Sequence, residues 1–573
     1  NVIEMAKFIF IIDEEENREV WENSLNFLST LKKEECLSVS LTSRDILFRL
    51  FNEVDVIIGP TCPNPAFEFG AKKDDILYFA GLGINGSINQ LLDTSLPLPE
   101  PPVKEYAVGN AMVPDTIIGP GETWVNDTNN DGTIASYRRG SFKKWWVGNL
   151  INQDRTIREN MCIFWHNHFS TETNDVGNAQ YVYKHHNLIR SNALGNIKSL
   201  VRAMSIDPAM LVYLNGQNNN KSAPDENYSR EIQELFVIGK GTGADFTEPD
   251  VKEAAKLLTG WRINSTKMES YFDSNRHDTT NKQFSSFYGN KLIAGKTGAT
   301  AGDLELDEFI NMLFANDEAA LFLCRKLYIW FIYYKITPEV EAGIIAPLAK
   351  LLRNNNYEVK PVIKALLSSD HFFDMMNRGC QIKSPVNMMI GLLREFEVKF
   401  PTPDMYTTNY GLWNQMLSYF TNLQQNLGDP PDVSGWKAYY QEPGFYEYWI
   451  NTDTLPKRIQ YLDSLVTNGY TVSGFKVVVD GLAYVKKMAA PRDPNKLIDE
   501  LADHVLGIPI SAQHKAQLKR DILLSGQSDD LYWATAWDLY ISTPSNAANT
   551  KYVTTAITNL IKYMVDLPEY QLC

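Results

Sequence analysis

Helical spacing of apolar residues runs through most of the chain after about residue 141. Apolar positions recur about every three to four residues, which is typical of amphipathic helices packed on a shared core. Turn-forming residues interrupt this pattern between Tyr271 and Ala294, where alternating aromatic residues predict a small hairpin. The chain is therefore predicted to be mainly α, a multi-helix globular array with a small hairpin insertion.

The same pattern divides the chain into four regions. Residues 1–65 alternate strand-like and helical stretches in the order β-α-β-α-β, which predicts a small α/β segment at the N-terminus. Residues 66–140 are rich in loop residues, and residues 141–300 are predicted to form a helical core that carries the candidate site and the hairpin. Residues 301–573 are predicted to form a C-terminal helical region with an aromatic loop at 428–449.

The charge and the lengths of the apolar stretches argue against nucleic-acid binding and against a transmembrane helix. The 573 residues carry a net charge of −15 and no run of basic residues, which disfavours nucleic acid because phosphates need clustered Lys and Arg. No stretch of about 18 apolar residues occurs in the sequence, so no transmembrane helix is predicted. The six cysteines lack paired spacing, which argues against a zinc ribbon.

The stretch Met161–Phe169 places two histidines, His166 and His168, among bulky aromatic residues. A His-x-His pair is a common metal-ligand spacing on a strand, but this stretch is predicted to be helical. At about 100° per residue, His168 continues the apolar side that includes Trp165, and His166 points nearly opposite. Two alternatives follow: a shared metal ion, which requires the helix to break near Trp165, or a buried His168 hydrogen-bonded to an acid.

The helix predicted around Asp225–Phe236 supplies a candidate acid. Glu231 flanks the apolar face of this helix. A carboxylate that is buried without a partner is strongly destabilising, so Glu231 is expected to meet His168, Arg190 or an ion. Glu231 can serve as a polar clamp between helices or as a catalytic carboxylate, and both alternatives stay open.

The pair His277-Asp278 lies in a polar loop of the predicted hairpin region. If this loop folds over the two helices, His168, Glu231, His277 and Asp278 form a metal or acid–base site, which would suit hydrolysis through an activated water. The metal ligands would then be His166, His168 and His277, and the ion would be a divalent one such as zinc or calcium.

A second metal candidate is Asp127–Gly132, which matches the first half of a calcium loop. Asp127, Asn129 and Asp131 supply oxygens at its first, third and fifth positions, but Arg138 stands where a bidentate acid is expected. The alternatives are a calcium site completed from elsewhere and an Asn/Asp/Gly turn, of which the turn is the stronger.

The loop at 428–449 is rich in aromatic side chains, including Trp436 and Trp449. Exposed rings would bind a glycan by stacking, whereas buried rings would form a plug packed on the helices. The plug is the favoured alternative.

From roughly residue 69 to the end, the chain carries a series of short motifs. They are Trp165-His-Asn-His-Phe169, Asp207-Pro-Ala-Met210, Glu226-Asn-x-x-Arg-Glu-x-x-Glu-Leu-Phe236, Leu258-Thr-Gly-Trp261, His277-Asp278 with Lys282, and Pro430-Pro-x-Val-x-Gly-Trp436. In order and spacing together, these motifs resemble those of one bacterial family, the domain of unknown function 1800. The chain is similar to versions found in the Bacteroidota, judged by Trp124-Val-Asn-Asp127 and by the ending Leu567-Pro-Glu-Tyr-Gln-Leu572.

The resemblance implies an exported, mostly helical protein that is often encoded beside a partner with an alkaline-phosphatase-like fold. It implies no proven catalytic residues. The motif residues that we take as candidates for ligand binding are Trp165, Asn227, Arg230, Trp261, Lys282 and Trp436.

Two functional hypotheses follow from these features. The first is a metal-assisted hydrolase that acts on a cell-surface or environmental polymer. The second is a non-enzymatic binding or assembly module of the envelope, with glycan binding through the 428–449 loop as one form of it. Convergence of His168, Glu231 and His277 in the structure would favour the hydrolase.

Overall fold

The computed structural model describes residues 70–106, 115–129, 131–440 and 446–573. Helices dominate this part of the chain, and the strands form only small two-stranded sheets, so the predicted mainly α fold is confirmed. The predicted β-α-β-α-β segment at 1–65 lies outside the described residues.

The helices up to residue 315 precede and enclose the hairpin region. In chain order they are α1 (Lys73–Leu91), α2 (Gly132–Ile151), α3 (Arg158–His168), α4 (Thr173–Val176), α5 (Ala179–Ser191), α6 (Ile197–Met204), α7 (Pro208–Tyr213), α8 (Asn227–Glu231), a π-helix (Ile232–Val237), α9 (Glu248–Leu257) and α10 (Ala301–Ala315).

The helices after residue 315 form the C-terminal half. They are α11 (Asp317–Phe331), α12 (Pro338–Val340), a π-helix (Glu341–Ile345), α13 (Ala346–Asn354), α14 (Val359–Leu367), α15 (Pro385–Glu395), α16 (Tyr406–Asn422), α17 (Lys437–Tyr440), α18 (Thr454–Thr467), α19 (Gly481–Val485), α20 (Pro494–Val505), α21 (Ala512–Leu518), a π-helix (Lys519–Leu523), α22 (Leu531–Ser542), α23 (Ala547–Asp566) and α24 (Pro568–Gln571).

Three antiparallel hairpins interrupt the described helices. Two of them occupy the region of the predicted hairpin, but the first begins about ten residues earlier than expected, at Trp261. In its turn, the Asn264 side chain accepts from the amides of Thr266 and Lys267. The strand pairs are β1 (Trp261–Asn264) with β2 (Glu269–Phe272), β3 (Lys282–Gln283) with β4 (Leu292–Ile293), and β5 (Tyr470–Val472) with β6 (Phe475–Val477).

Helix starts near the candidate site follow local capping chemistry. The Asp207 carboxylate accepts from the Met210 amide at 3.0 Å, so α7 begins at Pro208. Thr247 and Asp250 form the capping box of α9. After Asp154 the chain first makes a turn, and α3 starts only at Arg158.

Two buried apolar clusters form the core, and α3 lies where they meet. Phe164 and Trp165 belong to one cluster, which includes residues of α10 and α11, and Ile163 belongs to the other, which includes residues of α16 and α18. All 11 residues of α3 are buried. The helix therefore delivers its histidines to different parts of the interior. Within the described residues, no helix is long and apolar enough to cross a bilayer.

Candidate functional site

His168 ends α3 and has two polar partners. Its Nε2 lies 3.0 Å from the carbonyl oxygen of Phe236, and its Nδ1 lies 2.9 Å from the Lys326 Nζ. A carbonyl can only accept, so Nε2 carries the proton and Nδ1 accepts from the lysine. The prediction of an acid partner is therefore wrong: His168 meets a backbone carbonyl and an amine.

The carbonyl of Phe236 belongs to the π-helix that continues α8 (Ile232–Val237). The last carbonyls of a helix receive no hydrogen bond from the helix itself, and the His168 ring donates a hydrogen bond to one of them. Gly239, with φ of +94°, ends this segment. Single π-helical turns are frequent at functional sites, which makes this junction the candidate site.

Burial sets the charge state of the histidine–lysine pair. It lowers the pKa of His168 well below its usual value, and the charge of Lys326 lowers this pKa further. Burial also lowers the pKa of Lys326 to about 8. His168 is thus a neutral imidazole at neutral pH, and Lys326 is the group of the pair that titrates.

Glu231 stands at the start of the π-helix and is half-buried. Within the described residues, its carboxylate forms no hydrogen bond or ion pair. Burial raises its pKa to about 7, Glu234 adds to the rise, and Arg230 opposes it. The expected pairing of Glu231 with His168 or Arg190 is therefore wrong, and Arg190 instead binds Glu159.

The charge of a third carboxylate, that of Asp432, acts on both Glu231 and Glu172. Burial raises the pKa of Glu172, and the charges of Asp175 and Asp432 add to the rise. The Asp432 charge also raises the pKa of Glu231, so the two glutamates share one acidic surrounding. The Tyr213 hydroxyl donates to Glu172 at 3.4 Å. We call Glu172, Tyr213, Glu231 and Asp432 the acidic cluster.

The motifs of this site can be compared with known families. A family model described as a protein of unknown function, DUF1800, matches residues 66–572. The chain belongs to the DUF1800 family. No curated protein and no solved structure matches it.

His166 points away from His168, as the helical phase predicts. Its ring lies 5.1 Å from the ring of Trp146 and 5.9 Å from that of Trp436, and neither ring nitrogen has a hydrogen-bond partner among the described residues. Burial lowers its pKa to about 3. In the part of the chain that the structure describes, no three His, Cys, Asp or Glu side chains are grouped as metal ligands, so His166, His168 and His277 do not share one site.

His277 belongs to a separate buried clamp. Its Nδ1 donates to the Thr259 carbonyl at 3.0 Å, and its Nε2 lies 3.1 Å from Glu305 Oε1. Lys282 donates to Glu305 Oε2 at 2.7 Å and to the Asp278 carbonyl. Burial acts to raise the pKa of Glu305, but the donors around it outweigh burial and lower it. This clamp fastens the hairpin region to α10, and it does not include His168 or Glu231.

Sequence reasoning missed two residues of these clusters, Lys326 and Glu305. Both lie on helices in otherwise apolar surroundings: Glu305 stands four residues before buried Phe309, and Lys326 stands three residues after buried Leu323. The sequence did contain a signal for both residues: each is a charged residue at a helix position where the helical period predicts an apolar core residue.

The motif residues proposed to bind a ligand fall into two groups. Trp165 and Trp261 are buried in the core, Trp436 is buried beneath its loop, and Lys282 is in the clamp. Asn227 is exposed, and half-buried Arg230 pairs with Glu226 and Glu248 at the surface. Of the six, only the last two are placed to meet a ligand.

The aromatic loop has the arrangement of a plug. Trp436 is 2% exposed and Trp449 is 3% exposed, and the Trp436 amide donates to the Asn167 side chain at 2.8 Å. These two rings therefore offer no exposed stacking face for a glycan.

The half-calcium loop forms a turn and a helix cap. The Asp131 carboxylate accepts from the first amides of α2, the Asn129 side chain accepts from the Asp131 amide, and Asp127 Oδ2 binds Arg138 at 2.6 Å. A calcium ion at these oxygens would have to compete with the Arg138 guanidinium for Asp127.

Proposed function

We propose that this protein is an exported hydrolase that acts on a cell-surface or environmental polymer, with Glu231 as its general base. The observation that carries the proposal is a half-buried carboxylate that forms no hydrogen bond with the described residues and whose pKa is raised to about 7. A general base works best when its pKa lies near the working pH.

In the proposed reaction, the Glu231 carboxylate takes a proton from a water molecule as that water attacks the scissile bond. The protonated acid then returns the proton to the leaving group. The negative charges of Glu172 and Asp432 repel anions, so the acidic cluster favours an uncharged or cationic stretch of polymer. A divalent metal such as zinc or calcium would have to be bound with help from substrate or water, since no group of three protein ligands is preformed among the described side chains.

One observation favours the alternative, a binding or assembly module of the envelope that docks a partner with an alkaline-phosphatase-like fold. Helix α22 exposes several apolar side chains, including Leu531 at 62% and Ile541 at 54%. Exposed apolar clusters often mark protein–protein contacts. A module of this kind would still bind its partner after Glu231 is substituted.

The test compares Glu231→Gln with Glu234→Gln, a carboxylate of the same helical segment that is already paired with Lys240. Hydrolysis of neutral, cationic and anionic polymers is measured with chelator, with zinc and with calcium. We expect Glu231→Gln to lower kcat/KM by about 10²–10⁴-fold and Glu234→Gln to change it less than about tenfold. The wild-type rate should rise with pH through about 7, because the base is the ionised form.

Equal activity of the two variants would remove Glu231 from the reaction. Absence of hydrolysis for every polymer and metal condition, together with binding of an envelope partner by Glu231→Gln, would support the assembly module instead.

A further inference from the structure

A surface cleft lies between α22 and the start of α23. Its volume is about 510 Å³, within the usual range of small-molecule sites. Side chains of both helices and of the loop before α22 line it, and none of them belongs to the acidic cluster or to the buried clamp of His277 and Glu305. The cleft is therefore a second candidate binding site.

Two tyrosine rings form one corner of the cleft. The rings of Tyr532 and Tyr552 meet edge to face, with centroids 5.9 Å apart and planes at 85°. Tyr532 is 42% exposed. The Tyr552 hydroxyl donates to the carbonyl of buried Leu523 at 3.0 Å, which holds the second ring in place. The aromatic corner is thus formed before a ligand arrives.

The polar groups of the cleft are mostly neutral. The side chains of Gln527 and Thr535 form no hydrogen bond with the described residues. The Asn549 side-chain nitrogen donates to Thr543 Oγ1 at 3.2 Å, and its side-chain oxygen has no donor among the described residues. Asp529 is the one charged residue of the described lining, which contains no lysine or arginine. The cleft thus offers amide and hydroxyl groups, but no cation to pair with an anion.

These groups match the chemistry of an uncharged sugar. A pyranose ring carries C–H groups on its faces, which pack on aromatic rings, and hydroxyls at its edge, which bond to amides and carboxylates. An anionic sugar would meet Asp529 without a compensating cation. An apolar protein segment would cover the Gln527 and Asn549 amides without pairing them, which is unfavourable.

We propose that this cleft binds a neutral oligosaccharide, which stacks on Tyr532 and forms hydrogen bonds with Gln527 and Asn549. This binding needs no hydrolysis at Glu231. It also differs from glycan binding by the 428–449 loop, because Trp436 and Trp449 are buried whereas Tyr532 is open to solvent.

The experiment is isothermal titration calorimetry of the full chain with neutral hexasaccharides of glucose, xylose, mannose and N-acetylglucosamine, and with hexagalacturonate as the anionic probe. We expect at least one neutral probe to bind with a Kd of about 10⁻⁵–10⁻³ M. Hexagalacturonate should bind at least about tenfold more weakly. Tyr532→Ala should raise the Kd of the neutral probe about tenfold, because it removes the exposed ring.

Matched variants separate this cleft from other surfaces. Tyr563 is also on α23 and is 40% exposed, but it lies outside the cleft, so Tyr563→Ala should leave the Kd unchanged. Tyr552→Phe keeps the ring and should retain binding. Glu231→Gln should bind as the wild type does, whether or not the protein is a hydrolase. In the wild type, the bound sugar should protect Tyr532, but not Tyr563, from hydroxyl-radical oxidation.

Two results would overturn the proposal. The first is that no neutral hexasaccharide binds, which would leave the exposed Leu531 and Leu539 as a surface for a protein partner. The second is binding that Tyr532→Ala does not weaken and that leaves Tyr532 unprotected in the wild type. Loss of such binding in Glu231→Gln would instead place the sugar at the acidic cluster.

Discussion

Replacing Glu305 with leucine should lower the free energy of unfolding by about 3–5 kcal/mol, because it leaves the ammonium of Lys282 buried without its carboxylate. Both side chains are 0% exposed, and the Nζ–Oε2 distance is 2.7 Å. After the substitution, Lys282 would keep only the Asp278 carbonyl and a carboxylate oxygen of Asp278 at 3.8 Å. His277 would lose its Nε2 partner as well. Chemical denaturation followed by circular dichroism measures the loss.

The matched control is the double variant Glu305→Leu with Lys282→Met. It removes both charges of the clamp, so more than half of the lost stability should return. A replacement at the partly exposed surface pair of Glu253 and Lys256 should cost less than about 1 kcal/mol. A loss below about 1 kcal/mol for Glu305→Leu would show that the clamp does not hold the hairpin region.

Replacing Arg190 with methionine should also lower the free energy of unfolding by about 3–5 kcal/mol, because it leaves a buried carboxylate without its cation. Arg190 binds both oxygens of Glu159, and its guanidinium lies over the Trp145 ring at 5.2 Å. The same guanidinium contacts His186 Nε2 at 3.0 Å. The substitution would leave the Glu159 carboxylate buried and uncompensated between α3 and α5. The midpoint of thermal unfolding should fall accordingly.

For this pair, Arg190→Met combined with Glu159→Leu provides the control. If the carboxylate left behind causes the loss, then the double variant should be more stable than Arg190→Met alone. A double variant that is as unstable as the sum of the two single variants would instead assign the loss to packing around Trp145.

The orientation of the two histidines of α3 could be predicted from the sequence, but their contacts could not. The helical period fixes the angle between His166 and His168, and that part of the prediction is confirmed. The partners of His168 lie 68 and 158 residues away along the chain. Such contacts arise from packing between helices, which the period of one helix does not specify.

Local chemistry sets some helix starts without any distant contact. The caps at Asp207 and Thr247 depend only on residues within one turn. The pairing of Glu231 with His168 failed because the π-helix presents a backbone carbonyl to the ring instead of a side chain. His168 therefore does contact the helical segment that carries Glu231, but it contacts the main chain of that segment and not the Glu231 side chain.

Global stability would not isolate Glu231, because burial also raises the pKa of Glu395 and of Asp566 to about 7. Each of these acids binds its proton more tightly in the folded state. Their contribution to stability therefore falls as the pH rises from about 4, their pKa in the unfolded chain, to about 7, their pKa in the folded protein. A residue-specific titration is needed.

The most direct test of the proposed site is the pKa of Glu231, measured by carbon-13 NMR on protein labelled at the glutamate carboxyl carbons, with Glu231→Gln to assign the signal. A midpoint near pH 7 is the predicted result, since burial and the neighbouring carboxylates disfavour the charged form. A midpoint near 4.5, the ordinary value for glutamate, would contradict a base poised for catalysis at neutral pH.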